Sequence, residues 1–210
     1  MIWYNYINIG LLVIIWAIIF SDIKKYKTGR DFWLIFLAVY TLTEFLGVLF
    51  EIKGVNNLWL YNISKPIQFF CLTVYFVKLL HLQKTQKYVT LFLSFLIYLP
   101  FLLFTKITDY NSLFDIISSS IILIFCVAYF YTVIRDDENM FTTVSEIWFC
   151  TSLFIFLGTN LCINGALNFL LKTQITVARK LFYLLVINSY VFYLLVIYAL
   201  LSVDKKYLNR

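Results

Sequence analysis

Apolar residues gather into seven runs along this chain, at 2–20, 32–50, 58–80, 88–104, 113–134, 145–171 and 181–202. Each is close to the ~20 residues that a helix rising about 1.5 Å per residue needs to cross a bilayer. The connections are short, hold most of the charge, and leave no room for a soluble domain. No low-complexity linker, internal repeat or break in composition divides the sequence. The pattern predicts an all-α fold: one integral membrane domain, a polytopic bundle of seven transmembrane helices. The third run has two readings. Its helix starts near Leu58, or it starts at Ser64, where Ser-Lys-Pro resembles an N-cap with proline in the first turn.

Composition agrees with the runs. A hydrophobic share of 62% with 13% charged residues lies outside the range of soluble domains. The net charge of +6 sits mainly beside the predicted membrane, where anionic headgroups are the natural counterions. No segment offers a basic surface with a fold behind it, so nucleic acid is not an expected partner.

Charge also predicts orientation. No Lys or Arg precedes the first run, and Lys24, Lys25, Lys27 and Arg30 follow it. The start of the chain therefore lacks a signal-peptide n-region, and its N-terminus is expected outside. With seven spans the cytoplasmic side then also holds Lys78, Lys84, Lys87, Arg135, Lys205, Lys206 and Arg210. The outer side holds Lys53, Lys65, Lys106, Lys172, Arg179 and Lys180. That asymmetry follows the positive-inside rule and puts the C-terminus inside. The segment 172–180 works against it. All five tryptophans (Trp3, Trp16, Trp33, Trp59, Trp148) fall near run ends, as interfacial anchors do.

Polar residues inside the runs carry the candidate chemistry, because a charge near the bilayer centre costs about 2.5–3.5 kcal/mol on insertion scales. Glu44 lies in the second run at a depth of roughly 9 Å by helix rise, with Tyr40 and Thr41 on its face. Lys65 enters from the same side in the third run. It either pairs with Glu44 or, if the helix begins at Ser64, snorkels to headgroups. In the sixth run Asn160, Asn164 and Asn168 recur at i, i+4 and i+8, forming one stripe that lines a cavity or joins helices by hydrogen bonds. Of the three, Asn164 is expected nearest in depth to Glu44 and Asn188. Outer halves hold Asn5, Asn8, Glu44, Lys65, Gln68, Asp115, Ser118–Ser120, the three asparagines, Asn188 and Ser189. Inner halves hold mainly Thr73, Thr132, Thr151, Ser152 and tyrosines. Such gathering at one level predicts a hydrated cavity open to the outside, with Glu44, Lys65, Gln68, Asn160, Asn164, Asn168 and Asn188 as its ligand-facing residues.

Several chemistries lack their residues. The single histidine, His81, stands in a connection and excludes bis-histidine haem ligation; it also leaves an intramembrane Ser-His dyad without support. The cysteines (Cys71, Cys126, Cys150, Cys162) show no metal spacing and read as small apolar fillers. No HExxH or phosphate loop occurs, and Asp136-Asp137-Glu138 beside Arg135 reads as a solvated turn. No metal, cofactor or catalytic residue is expected, although a hydrolase centred on Glu44 and the serines at 118–120 stays open.

The stretch Asn57-Leu-Trp-Leu-Tyr-Asn-Ile-Ser-Lys-Pro-Ile-Gln-Phe-Phe70, with the seven-run layout, resembles small uncharacterised multi-pass membrane proteins of Bacteroidota. Where those proteins often carry an acidic residue, this chain has Gln68. The resemblance is specific only over residues 57–70 and brings no activity with it. It implies a bacterial inner membrane. The expected function is a non-catalytic sensor, receptor-like or regulatory accessory protein that binds in the outer cavity and reports to a cytoplasmic or membrane signalling partner. The alternatives are a transporter or pore with Glu44 as coupling carboxylate, and a lipid-acting hydrolase.

Overall fold

The computed structural model describes residues 3–21, 31–104, 112–135 and 144–202. The charges of the first connection, the acidic triplet 136–138, Lys106 and the tail from 203 onward lie outside the described residues. Seven helices make up the described secondary structure: α1 (Trp3–Ser21), α2 (Asp31–Ile52), α3 (Leu58–Leu79), α4 (Lys84–Phe104), α5 (Ser112–Arg135), α6 (Val144–Thr173) and α7 (Ile175–Leu201). Each coincides with one apolar run. Helices are the natural outcome for such sequences, because a helix satisfies its backbone groups within the segment and needs no water.

Four helices contain stretches long and apolar enough to cross a membrane: Trp33–Ile52, Leu113–Arg135, Val144–Ala166 and Tyr183–Leu201. Their outward faces are apolar as well. On α7 the exposed residues Leu184, Ile187, Val191, Leu194, Tyr198 and Leu201 recur every three or four positions, and Ile124, Val127, Tyr131 and Ile134 do so on α5. A soluble protein rarely leaves such continuous stripes uncovered. A helix apolar on both its packed and open faces belongs in lipid, and these are the properties of a membrane protein.

The chain divides into two compact units. The first comprises α1, α5 from Ser119, α6 and α7. Here α6 and α7 form a long antiparallel hairpin, α1 packs against α7, and only Gln174 separates the hairpin's helices. Phe156 stacks on Phe192 at 4.6 Å, and Trp148 meets Tyr198 edge-on at 4.8 Å. The Tyr190 hydroxyl donates to the Tyr4 carbonyl at 3.3 Å, tying α7 to α1. A wide connection over 172–180 does not form. Both helices extend through its charged residues, Lys172 on α6 and Arg179 and Lys180 on α7, since lysine and arginine are good helix formers.

The second unit comprises α2, α3, α4 and α5 up to Ser118. Its α2–α3 hairpin turns at Gly54 (φ +67°). The Val55 amide donates to the Phe50 carbonyl and the Gly54 amide to Glu51, the pair of bonds that closes a helix on a left-handed residue. At the end of α3 the same geometry recurs on His81 (φ +48°), with Leu82 N–H to Val77 and His81 N–H to Lys78. Of the two starts open for α3, the structure takes Leu58. Asn56 Oδ1 accepts from the Leu58 amide at 2.9 Å, and Pro66 sits inside the helix. Ser64 is no cap, since its hydroxyl donates to the Tyr61 carbonyl. Trp33 is buried, so it does not lie in an exposed belt; packing has claimed its ring.

Candidate functional site

Charge concentrates in the second unit. Glu44 stands on α2, Lys65 on α3 and Asp115 in the first turn of α5, each half-buried. The Lys65 ammonium donates to Asp115 Oδ2 at 2.5 Å. An acid in the first turn is well placed, because the unpaired amides there favour negative charge. Around the pair, Phe114 meets Phe69 at 6.1 Å and Tyr98 at 5.9 Å, both edge-on. These rings lock the start of α5 onto α3 and α4 and hold Asp115 level with Lys65.

Glu44 interacts with the same cation through space. Lys65 thus serves two carboxylates and donates a hydrogen bond to Asp115. An ion pair with Glu44 was one of two readings of the sequence; the structure gives that pair to Asp115 and leaves Glu44 in the field of Lys65. Gln68, one turn on, is half-buried. Thr41, on the Glu44 face, turns its hydroxyl to the Leu37 carbonyl at 2.6 Å, and Thr43 does the same to Val39 at 2.7 Å, so both stabilise their own helix.

Close packing of α2 on α3 positions Glu44. A Cβ on Gly47 would come within 2.5 Å of the Tyr61 hydroxyl oxygen, so a side chain here would require the Tyr61 ring to move. The Asn57 amide donates to the Gly47 carbonyl at 3.2 Å. Glycine, tyrosine and asparagine together set the spacing of the helices that carry Glu44 and Lys65.

In the first unit the polar residues behave differently. Asn188 is 6% exposed and its amide donates to the Phe156 carbonyl at 2.9 Å and to Asn160 Oδ1 at 3.1 Å. The stripe on α6 therefore meets Asn188 at Asn160 and not at Asn164, which is half-buried one turn away. The side chain of Asn168 lies outside the described residues. The candidate residues thus fall into two groups, Glu44, Lys65 and Gln68 in one unit and the four asparagines in the other.

Chemically, the charged group can bind and exchange cations or polar headgroups, with Lys65 as an internal competitor. Ser118, one candidate nucleophile, donates its hydroxyl to the Phe114 carbonyl at 2.7 Å. Among the described residues no group of three or more His, Cys, Asp or Glu side chains could hold a metal ion. Asp115 is the residue that sequence reasoning undervalued. It was placed among the outer polar residues but not as Lys65's partner, and the signal was its position as the sole acid of its run. No protein-family model matches the chain, and no curated protein or solved structure is significantly similar to it.

Proposed function

We propose that the chain is a seven-span protein of a bacterial inner membrane, N-terminus outside and C-terminus inside, of the kind that the stretch 57–70 resembles. It acts as a non-catalytic sensor or regulatory accessory protein. A small polar or charged ligand binds in the outer half of the bundle at Glu44, Lys65 and Asp115, and the signal leaves through the cytoplasmic connections to a signalling partner.

One observation carries this reading: a lysine paired to one carboxylate while acting on a second. Charges inside apolar helices are expensive to insert. A purely structural pair would need one acid, and the second acid gives a ligand a place to shift the lysine. The same observation favours the second reading, a transporter with Glu44 as coupling carboxylate.

The test is a thermal-shift screen of the purified protein in nanodiscs against inorganic cations, amines, amino acids and phospholipid headgroups. A stabilising solute should lose its effect in Glu44→Gln while the unliganded melting temperature stays near wild type. A stabilisation that survives Glu44→Gln would refute the site. Flux of the same solute into proteoliposomes would move the assignment to transport.

A further inference from the structure

The end of α5 and the start of α6 bury polar groups that the charged centre does not use. Tyr129 is 1% exposed and Ser145 is wholly buried, yet among the described residues neither Tyr129 Oη nor Ser145 Oγ has a hydrogen-bond partner. The two helices run antiparallel in contact here. Leu123 lies 3.9 Å from the Cβ position of Gly158, and the ring of Phe130 is 6.1 Å from that of Phe154. Tyr129 interacts electrostatically with Cys150 and Glu146 of α6.

A buried hydroxyl without a partner is costly, and phenylalanine would fill the Tyr129 position without that cost. Buried polar groups of this kind are usually satisfied by internal water, which needs two to four polar partners. Tyr129 Oη and the Glu146 carboxylate supply strong ones, and the Cys150 thiol a weak one. A water molecule is the smallest occupant that can donate to a carboxylate oxygen and accept from the Tyr129 hydroxyl at once. We propose that α5 and α6 enclose a hydrated site in which bound water joins Tyr129 Oη to the Glu146 carboxylate. It gives this protein a second polar site, independent of the one on α2, α3 and α5.

Radiolytic hydroxyl labelling of the full chain in nanodiscs tests this, because side chains beside bound water are oxidised even when buried. Tyr193 of α7, also 1% exposed, is the internal control. Tyr129 should label several-fold faster than Tyr193, and equal rates would overturn the proposal. As a second measurement, Tyr129→Phe should lower the melting temperature by about 2–4 °C, and Glu146→Gln should then add less than it does alone. A melting temperature that stays or rises in Tyr129→Phe means a dry hydroxyl and would equally overturn it.

Discussion

The two units place polar side chains among apolar helices by opposite means. In the unit of α2, α3 and α4, charges of both signs meet, and Lys65 links Asp115 to the field of Glu44. In the unit of α1, α6 and α7, neutral amides meet, and Asn188 spans to Asn160 and the Phe156 carbonyl. The physical stakes differ. A neutral amide bond between membrane helices contributes about 0.6–2 kcal/mol, and its loss leaves a dipole. Loss of one member of an ion pair leaves a bare charge. Charge is therefore the costly solution and the one that points to function, whereas the amides hold a hairpin together.

The sharpest way to break that contrast is to strand a charge. Lys65→Met leaves Asp115 and Glu44 without their cation and should destabilise the protein by about 3–5 kcal/mol, read as lost folded yield and a lower melting temperature in detergent. A loss below that of the amide variants would mean that the pair is solvated and carries no special burden.

Next in size is Gly47→Ala, which forces a methyl group against the Tyr61 ring and should cost about 1–3 kcal/mol by overpacking. The companion Gly47→Ala/Tyr61→Phe removes the oxygen nearest the new methyl and should recover part of the loss. Recovery would tie the effect to helix spacing and not to glycine's flexibility.

In the amide unit, Asn188→Leu should cost about 1 kcal/mol, measured by thermal denaturation, with ligand-induced stabilisation retained. If that variant folded normally but abolished the ligand response, the asparagines would belong to the binding wall, and the contrast between the units would dissolve. The smallest effect should come from His81→Gly. A left-handed residue at a helix C-terminus suits glycine, and relieving histidine of it should raise stability by about 1 kcal/mol; the melting temperature reads this directly.

Much of the helical layout was legible in the sequence because apolar run length alone dictates it. The runs at 32–50 and 113–134 fall within two residues of α2 and α5. Ends carrying charged helix formers were not legible: Lys84 and Lys87 start α4 and Arg179 and Lys180 continue α7, since lysine and arginine extend a helix as readily as they end a hydrophobic stretch. Glu44 and Lys65 stood out because intramembrane charge is rare. The partner of Lys65 did not, because pairing depends on relative depth, and depth follows from helix packing that linear spacing does not encode. The Asn160–Asn188 tie was obscured for the same reason, since the i, i+4 stripe defines a face and not which turn meets the neighbouring helix.

A double-mutant cycle on Lys65 and Asp115, with Lys65→Met, Asp115→Leu and the double variant unfolded reversibly in bilayer-mimicking detergent, tests the charged centre most directly. The account predicts a coupling of at least about 1.5 kcal/mol, with the double variant more stable than Lys65→Met alone, because replacing Asp115 removes one of the two carboxylates that Lys65→Met strands. Additivity within about 0.5 kcal/mol would contradict it, leaving Lys65 and Asp115 as independent residues and Glu44 without the shared cation on which the proposed binding site rests.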